Sequence, residues 1–251
     1  HEAWYKRSLV SDSINLFIGE EDTSKIGVCR FDMSLDQSNA EVSINLNPSN
    51  RGKGLSRKLL MSAIKHYRKS NKIDLLARIK RKNLPSIKIF ESVGFVKTNV
   101  TKMEFFFCMP NKKLTFKTVR KTNTEDRSLL YSFLGKRGHN ISHKVMPSIA
   151  KHNTFVQSHP YLQWYIICEE EPIGSFYIQT DNSVGLNLLY VRNEWISQTI
   201  NYINENFTPR MPVQSKVPPY FFLNTPFGHD EMVTALAQLD LKPLQLSYKI
   251  N

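Results

Sequence analysis

The sequence predicts a mixed α/β protein with two domains in tandem, and three observations carry this prediction. Segments with strand-like alternation and segments with helical periodicity follow each other in both halves of the chain. The 251 residues suffice for two domains of ordinary size. Between the halves lies a polar, turn-prone segment at residues 110–113. We therefore predict domains over residues 1–110 and 111–251.

The first half alternates strands with helices around one glycine-rich loop. Strands are predicted at residues 14–18, 25–33, 40–46, 73–79 and 97–109, the last long enough for one strand or two. A helix is predicted to end within residues 1–9, and a second to begin at residue 55, where apolar side chains recur at helical spacing. A third is expected to begin at Asn83 with Pro85 and to stop at Gly94.

The second half repeats this alternation. Strands are predicted at residues 114–119, 164–168, 173–179, 185–190, 220–223 and 245–250, and helices at residues 125–134, 195–206 and 230–239. The stretch from residue 135 to about residue 160 reads as loop-rich. His139 and His143 lie there, and we expect no metal site because no third ligand accompanies them.

Charge and cysteine content narrow the class of protein. The formal net charge is +12, and residues 1–110, with 19 Lys and Arg against 11 Asp and Glu, contribute +8 of it. A polyanionic partner is therefore expected: a nucleotide cofactor, a nucleotide-linked substrate or a nucleic acid. Cys29, Cys108 and Cys168 lack paired spacing, which argues against disulfides and zinc. The simplest interpretation is small buried side chains in a reducing compartment, so we expect a cytoplasmic protein. The sequence shows no membrane-spanning apolar run and no signal peptide.

The loop at residues 49–56 has the properties of an anion-binding site. It connects a predicted strand to a predicted helix and contains Gly52 and Gly54, flanked by Arg51 and Lys53. Glycine lets the backbone approach a phosphate, and the free N–H groups and dipole of a helix start favour negative charge. The residue order fits neither a Walker loop nor a dinucleotide fingerprint. An ordinary surface turn is the alternative.

This loop resembles the signature of the GNAT (GCN5-related) N-acetyltransferase superfamily, Arg/Gln-x-x-Gly-x-Gly/Ala. Arg51, Gly54 and Ser56 stand at its defined positions, with serine as a departure at the last. Residues 83–95 resemble the second hallmark of the superfamily. The resemblance covers about residues 1–109 and implies an N-acetyltransferase that uses acetyl-CoA. A whole domain of this kind begins with a strand and helix ahead of residues 1–9, so these lie upstream or the second half completes the fold.

The resemblance also implies which residues bind the cofactor. Loop amides are expected to bind the pyrophosphate, and the pantetheine to pair with the strand at residues 40–46. The implied cofactor-binding residues are Ile44, Leu46, Arg51, Gly52, Lys53, Gly54, Leu55, Ser56, Asn83, Ser86 and Phe90. Phe90 stands where a tyrosine often acts as general acid, and Tyr5 or Tyr67 could take that role instead. A thiol with a pKa of about 8.5 leaves with little help.

Glu41 is the candidate general base. Transfer to an amine requires a group that removes a proton from the ammonium. In the strand at residues 40–46, Glu41 and Ser43 lie on the polar face, opposite Val42 and Ile44. Backbone N–H groups of this strand are expected to bind the thioester carbonyl. A purely structural surface role for Glu41 is the alternative.

The acceptor is implied by a narrower resemblance. Residues 1–4, 26–32 and 40–44 resemble acetyltransferase domains that occur alone or fused to nucleotide-sugar hydrolases in pseudaminic- and legionaminic-type sugar pathways. This implies a small-molecule amine acceptor on a nucleotide-linked amino sugar, with Arg30, Asp32 and Ser43 as substrate-binding residues. A peptide, polyamine or antibiotic amine is the alternative acceptor, and an ordinary ion pair is the alternative for Arg30 and Asp32.

The second half resembles another GNAT-like unit, but it lacks the glycine loop. Residues 191–194, Val-Arg-Asn-Glu, stand in its place. We predict that this half binds no coenzyme A and contributes structure or acceptor recognition. The competing non-enzyme hypothesis is a basic nucleic-acid-binding or scaffold protein. It lacks the basic–aromatic alternation of stacking modules and leaves the paired motifs unexplained.

Overall fold

The computed structural model describes residues 11–137, 146–214 and 216–245. The chain divides into two compact units, with the division between Asn111 and Lys112; the short segment Gln238–Asp240 clusters with the first unit. Each unit has its own β-sheet. The predictions made for residues 1–9, for His139 and His143, and for the strand beyond residue 245 lie outside the described residues.

The first unit contains a six-stranded sheet in the order β1-β2-β3-β4-β6-β5. Its strands are β1 (Ile14–Glu21), β2 (Ser24–Met33), β3 (Asn39–Leu46), β4 (Asp74–Lys80), β5 (Val96–Val100) and β6 (Glu104–Met109). All neighbours are antiparallel except β3 and β4, which are parallel. A parallel pair needs a crossover connection, and the helix that follows β3 provides it.

Two helices pack against this sheet. Helix α1 (Leu55–Tyr67) buries an apolar stripe on β1, β2 and β3, made of Leu55, Leu59, Leu60, Ala63, Ile64 and Tyr67. Helix α2 (Leu84–Ser92) is capped by Asn83, whose side chain accepts a hydrogen bond from the Ser86 N–H at 3.3 Å. The predicted start and stop of α2 are confirmed, since Gly94 follows the helix with φ of +104°.

The second unit contains a five-stranded sheet in the order β11-β10-β9-β8-β7. Its strands are β7 (Thr115–Thr118), β8 (Gln163–Cys168), β9 (Pro172–Ile178), β10 (Ser183–Leu188) and β11 (Phe222–Asn224). Its helices are α3 (Thr124–Lys136), α4 (Ile149–Ser158), α5 (Asn193–Asn206) and α6 (Asp230–Gln238). Among the described residues, no helix is long and apolar enough to cross a membrane.

Helix α4 corrects the prediction of a loop-rich stretch up to residue 160. Its side chains are mostly polar, so the helical period is hidden in the sequence. The structure shows Ser148 as its N-cap, accepting from the Lys151 N–H at 3.4 Å, and a narrow buried side formed by His152 and Val156. The mixed α/β class predicted for the chain is confirmed.

The same run of four strands occurs in both units. In β1-β2-β3-β4 and in β8-β9-β10-β11, the successive pairings are antiparallel, antiparallel and parallel. Helix α1 connects the parallel strands of the first run, and α5 lies between those of the second. The two halves of the chain therefore repeat one connectivity.

Candidate functional site

Strands β3 and β4 diverge after a short parallel ladder. They pair only at Asn39↔Asp74, Ala40↔Leu75 and Glu41↔Leu76. Beyond this point β3 continues to Leu46, while β4 stays paired with β6 as far as Lys80. The result is an opening between residues 42–46 of β3 and residues 77–80 of β4, which we call the strand gap.

The backbone of β3 presents hydrogen-bonding groups to this strand gap. The Asn47 N–H donates to the Ile26 carbonyl at 2.9 Å, which fixes the odd-numbered residues of β3 as those facing β2. Because successive residues of a strand alternate, Ile44 and Leu46 direct their N–H and C=O groups toward the gap. The ladder with β4 does not reach either residue. An extended ligand can therefore pair with this edge.

The glycine loop lies between the end of β3 and the start of α1. Gly52 and Gly54 have φ of +75° and +73°, and a Cβ at either position would meet nothing within 4 Å. The backbone conformation therefore requires glycine at these two positions, although the surrounding space could accommodate a side chain. Gly54 is the N-cap of α1, no side chain caps the helix, and its first turn contains no acidic residue. The N–H groups of Leu55 and Ser56 are left for an anionic ligand.

The basic side chains around the loop have different tasks. Arg51 donates from Nε to the Leu46 carbonyl at 3.3 Å, which fastens the loop to the end of β3. Arg57 donates to the Ser92 carbonyl at 3.4 Å. Lys53 is exposed. We therefore expect Arg51 to hold the loop in shape and Lys53 to supply charge toward a ligand.

Several predicted cofactor-binding residues point their side chains elsewhere. Phe90 is 3% exposed and packs edge-on against Phe95, with ring centroids 4.9 Å apart. Leu46 and Leu55 are also buried. Asn83 serves as the cap of α2. Any contact of Leu46 or Leu55 with a cofactor would run through the backbone, and the contact of Phe90 stays a prediction.

Tyr67 does not fit the role of general acid that the sequence left open for it. Its side chain is 2% exposed and stacks on the ring of Phe31, with centroids 4.2 Å apart. Tyr67 is the last residue of α1, and this stack lies in the core between that helix and the sheet. Burial raises the pKa of its phenol. The other alternative, Tyr5, lies outside the described residues.

A polar face lies on the side of the sheet opposite α1. The register places Arg30 beside Ser43 and Asp32 beside Glu41. Arg30 donates to Asp32, with 2.6 Å between Nε and Oδ1. The structure adds a residue that the sequence reasoning missed: Nη2 of Arg78 lies 3.5 Å from both carboxylate oxygens of Glu41. Alternation along β4, together with its parallel pairing to β3, was the signal that could have found it.

The cysteines offer no nucleophile for a covalent route. All three are free thiols and buried. Burial raises the pKa of Cys29 to about 12 and also raises that of Cys168. A thiol nucleophile requires an accessible, depressed-pKa environment, which is the opposite of what surrounds these residues. Among the described residues there is also no cluster of three or more His, Cys, Asp or Glu side chains able to hold a metal ion.

The second unit contains a backbone arrangement equivalent to the end of β3. Gly27 pairs with Leu46, and Gly174 pairs with Leu188. A Cβ would lie 2.5 Å from a carbonyl oxygen of the opposite strand at Gly27 and 2.2 Å at Gly174. The Leu189 N–H donates to the Ile173 carbonyl at 2.9 Å, just as Asn47 does to Ile26. The two strand pairs can therefore be superposed in sequence register.

The same register shows which residues of the second unit occupy the positions of the polar face. Tyr177 stands at the position of Arg30, Gln179 at that of Asp32, and Ser183 at that of Glu41. Ser183 is fully buried and donates to Asp181 at 2.6 Å. No carboxylate occupies the position of the candidate base.

The loop before α5 also differs from the loop before α1. Four residues, 189–192, connect β10 to α5, and none is glycine. Glu194 lies in the first turn of α5, and the Arg192 guanidinium lies 4.7 Å from the centre of the Trp195 ring. A carboxylate at a helix start opposes an incoming phosphate. The start of α5 also has no side-chain cap, so this loop differs from the first by its lack of a positive-φ glycine and by the acidic residue in the first turn.

One family model matches most of the first unit. Residues 1–96 match the family model described as the acetyltransferase (GNAT) domain. The first unit is therefore similar to GNAT acetyltransferase domains, which use acetyl-CoA.

A curated relative, the L-methionine sulfoximine/L-methionine sulfone acetyltransferase of Salmonella typhimurium strain LT2, is 34% identical over 101 residues. The match covers 38% of this chain and 58% of that relative, so the chain spans less than two thirds of its length.

Solved GNAT structures are more distant in sequence. A point mutant of the spermidine N-acetyltransferase SpeG from Vibrio cholerae is 18% identical, with a TM-score of 0.40, and the match covers 44% of this chain and 73% of that one. The Campylobacter jejuni N-acetyltransferase PseH, solved with acetyl coenzyme A, is 22% identical, with a TM-score of 0.40 and coverage of 44% and 77%.

Proposed function

We propose that this chain is an acetyl-CoA-dependent N-acetyltransferase that acetylates a primary amine on a small molecule. The observation that carries the proposal is the alignment of two features in the first unit. The free backbone edge of β3 along the strand gap leads directly to the uncapped start of α1 at Gly54. One ligand that is an extended amide chain at one end and a diphosphate at the other suits both.

The chain's own backbone would hold the cofactor at both features. The N–H groups from Gly52 to Ser56 would bind the pyrophosphate, because helix-start amides and the helix dipole favour negative charge. The gap-facing N–H and C=O groups of Ile44 and the N–H of Leu46, whose carbonyl already accepts from Arg51, would pair with the amides of the pantetheine arm. When bound, acetyl-CoA supplies an activated thioester.

Glu41 is the proposed general base. Its carboxylate stands at the mouth of the strand gap, where the ladder between β3 and β4 ends, and it is about half exposed. The acceptor ammonium would give one proton to Glu41, directly or through water, and the neutral nitrogen would then attack the acetyl carbon. Coenzyme A would leave as its thiolate, and the second proton shed by the acylated nitrogen would neutralise that thiolate. Because all three cysteines are buried, direct attack is proposed in preference to a cysteine-bound intermediate.

The acceptor is proposed to be a nucleotide-linked amino sugar bound on the polar face. Arg30 would contact an anionic group, and Asp32 and Ser43 would orient the amine. A second candidate is the amine of an amino acid, which is favoured by the 34% identity to a methionine sulfoximine acetyltransferase over residues of this domain. A peptide, polyamine or antibiotic amine is a further alternative.

For the second unit we propose a GNAT-like domain that has lost cofactor binding. Its strand run and its glycine–leucine pair match those of the first unit, whereas its loop and polar positions do not. It would contribute structure or acceptor recognition. We also propose a cytoplasmic location, since the three cysteines are free thiols, as expected in a reducing compartment.

The test is release of free coenzyme A thiol from acetyl-CoA on addition of amines. A panel of amino-sugar nucleotides, amino acids, polyamines and peptides is supplied to the purified full chain. The proposal expects acceptor-dependent thiol release with at least one small-molecule amine and a matching acetylated product by mass spectrometry. Salt-sensitive oligonucleotide binding without any acetyl-CoA binding would instead support the nucleic-acid-binding alternative.

A further inference from the structure

Arg78 and Glu41 face each other across the mouth of the strand gap. Arg78 follows Leu76 by two residues, so its side chain is on the same face of β4 as that of Leu76, the partner of Glu41. From there its Nη2 reaches back to within 3.5 Å of each Glu41 oxygen. The pair therefore joins two strands at the point where their ladder ends.

The two ion pairs on this face differ in strength. Arg30 and Asp32 belong to one strand, form a short hydrogen bond of 2.6 Å, and are 24% and 34% exposed. Arg78 and Glu41 meet at 3.5 Å and are 51% and 47% exposed. Long, exposed ion pairs contribute little to stability, so this pair can open when a ligand offers better partners.

We propose that Arg78 joins Arg30 in binding an anionic group of the acceptor and thereby selects amines that carry a carboxylate or a phosphate close to the nitrogen. This inference rests on the function proposed above. As the acceptor docks, its anion takes the Arg78 guanidinium, and its ammonium takes the place beside Glu41. One long ion pair is replaced by two, and Glu41 is left next to the proton that it must remove.

The same arrangement disfavours acceptors that are only cationic. A polyamine placed beside Glu41 would bring positive charge against Arg78, and nothing on the ligand would compensate it. Specificity of this kind depends on an unpaired charge in the wrong complex as much as on contacts in the right one. Planar guanidinium is also suited to both carboxylate and phosphate, so the two anion sources share one chemistry.

The test compares matched amines that differ only in the anion. One pair is an amino acid and its carboxamide; the other is a nucleotide-linked amino sugar and the free amino sugar. The ratio of kcat/KM within each pair is measured for the wild-type chain, Arg78→Gln, Arg78→Lys and a control, Lys102→Gln, which removes the same charge from an exposed turn. The pair that the wild type acetylates identifies the anion source.

We expect Arg78→Gln to lower the preference for the anionic member about tenfold to a hundredfold, through a higher KM, as for loss of a charged hydrogen bond. Arg78→Lys should recover part of it, and Lys102→Gln should match the wild type. In the wild type alone, free acetate or inorganic phosphate should compete with the acceptor.

Two results would overturn the inference. One is an equal loss of kcat/KM for both members of a pair, which would mean that Arg78 acts only through Glu41 or the fold. The other is a wild type that shows no preference for the anionic member. Failure of the proposed function looks different, because no amine of any kind would then release thiol from acetyl-CoA.

Discussion

The loop before α1 and the loop before α5 leave equivalent strand ends and then differ. Both follow an asparagine–leucine pair packed against a strand glycine, at Gly27 in one unit and Gly174 in the other. Neither helix that follows has a side-chain cap, but the first loop contains two glycines with positive φ. The second is shorter, without glycine, and has Glu194 in the first helical turn. The backbone constraint is kept in both units, while the glycine loop proposed to bind the cofactor occurs in the first unit alone.

The polar side chains of the two units also differ, although the strand packing is shared. The register that aligns the two strand pairs replaces Arg30, Asp32 and Glu41 by a tyrosine, a glutamine and a buried serine. Packing constraints explain why the glycines persist, since any side chain there would collide with backbone. No such constraint preserves a half-exposed carboxylate. The strand arrangement therefore does not by itself require the polar residues proposed for the site.

The largest expected effect is on kcat, and it compares Glu41 with Ser183, the residue at the matching register position of the second unit. Glu41→Gln should lower kcat by about 10²–10⁴, the usual contribution of a general base, with little change in acetyl-CoA affinity. Ser183→Ala, at the matching position of the second unit, should leave kcat unchanged in the folded protein. Steady-state kinetics and cofactor titration check both. A Glu41→Gln variant with wild-type kcat would remove Glu41 from the mechanism.

The next prediction asks whether the packing constraint is equal in both units. Gly27→Ala and Gly174→Ala should each destabilise the protein by about 1–3 kcal/mol or more, because the added Cβ would lie within 2.5 Å of a carbonyl oxygen. Denaturant unfolding with a separate probe for each unit measures this. Loss at one site only would show that the two strand pairs are not equivalent.

A smaller effect concerns the pH dependence of stability, which should differ between the two units. His152 is buried, and burial lowers the pKa of its imidazole, although its hydrogen bond with the Arg127 carbonyl opposes this. The unfolded chain then binds the proton more readily than the folded one, so stability falls as the pH drops below about 6.5, the unfolded value. His152→Gln should flatten this dependence in the second unit. An unchanged acid profile would contradict the assignment.

The smallest expected effect concerns the thiols. Because all three cysteines are buried and burial raises the pKa of Cys29 to about 12, brief treatment of the native chain with iodoacetamide at pH 8 should leave acetyl transfer intact. Denatured protein should incorporate three labels per chain, as a control for reactivity. Rapid inactivation that acetyl-CoA prevents would instead indicate a cysteine in the reaction.

Much of the first unit could be predicted from sequence because its signals are local. The alternation of Val42 and Ile44 with Glu41 and Ser43 identifies a two-faced strand, and Asn83 with Pro85 identifies a helix start. The glycine loop was recognisable because positive φ restricts the residue type. Helix α4 was missed because only a narrow side of it is buried, which leaves little periodicity in the sequence.

The site was harder to predict because it depends on register. Which residues of β3 present their backbone to the strand gap follows from one hydrogen bond, between Asn47 and Ile26, that no pattern in the sequence specifies. The pairing of Arg78 with Glu41 likewise joins residues 37 apart in the chain. Tyr67 was considered as a general acid by its residue type, and Phe90 as a cofactor contact by its position in a motif; the side chains of both belong to the core.

The central claim is that one chain binds one acetyl-CoA, through the glycine loop of the first unit. Calorimetric titration of acetyl-CoA into the wild type, Gly54→Glu and Gly228→Glu tests it most directly. Gly228 has a positive φ and open space around it, as Gly54 does, but lies in the second unit, so it controls for strain and charge. We predict one site per chain, lost in Gly54→Glu and retained in Gly228→Glu. Two sites per chain, or undiminished binding to folded Gly54→Glu, would contradict the account.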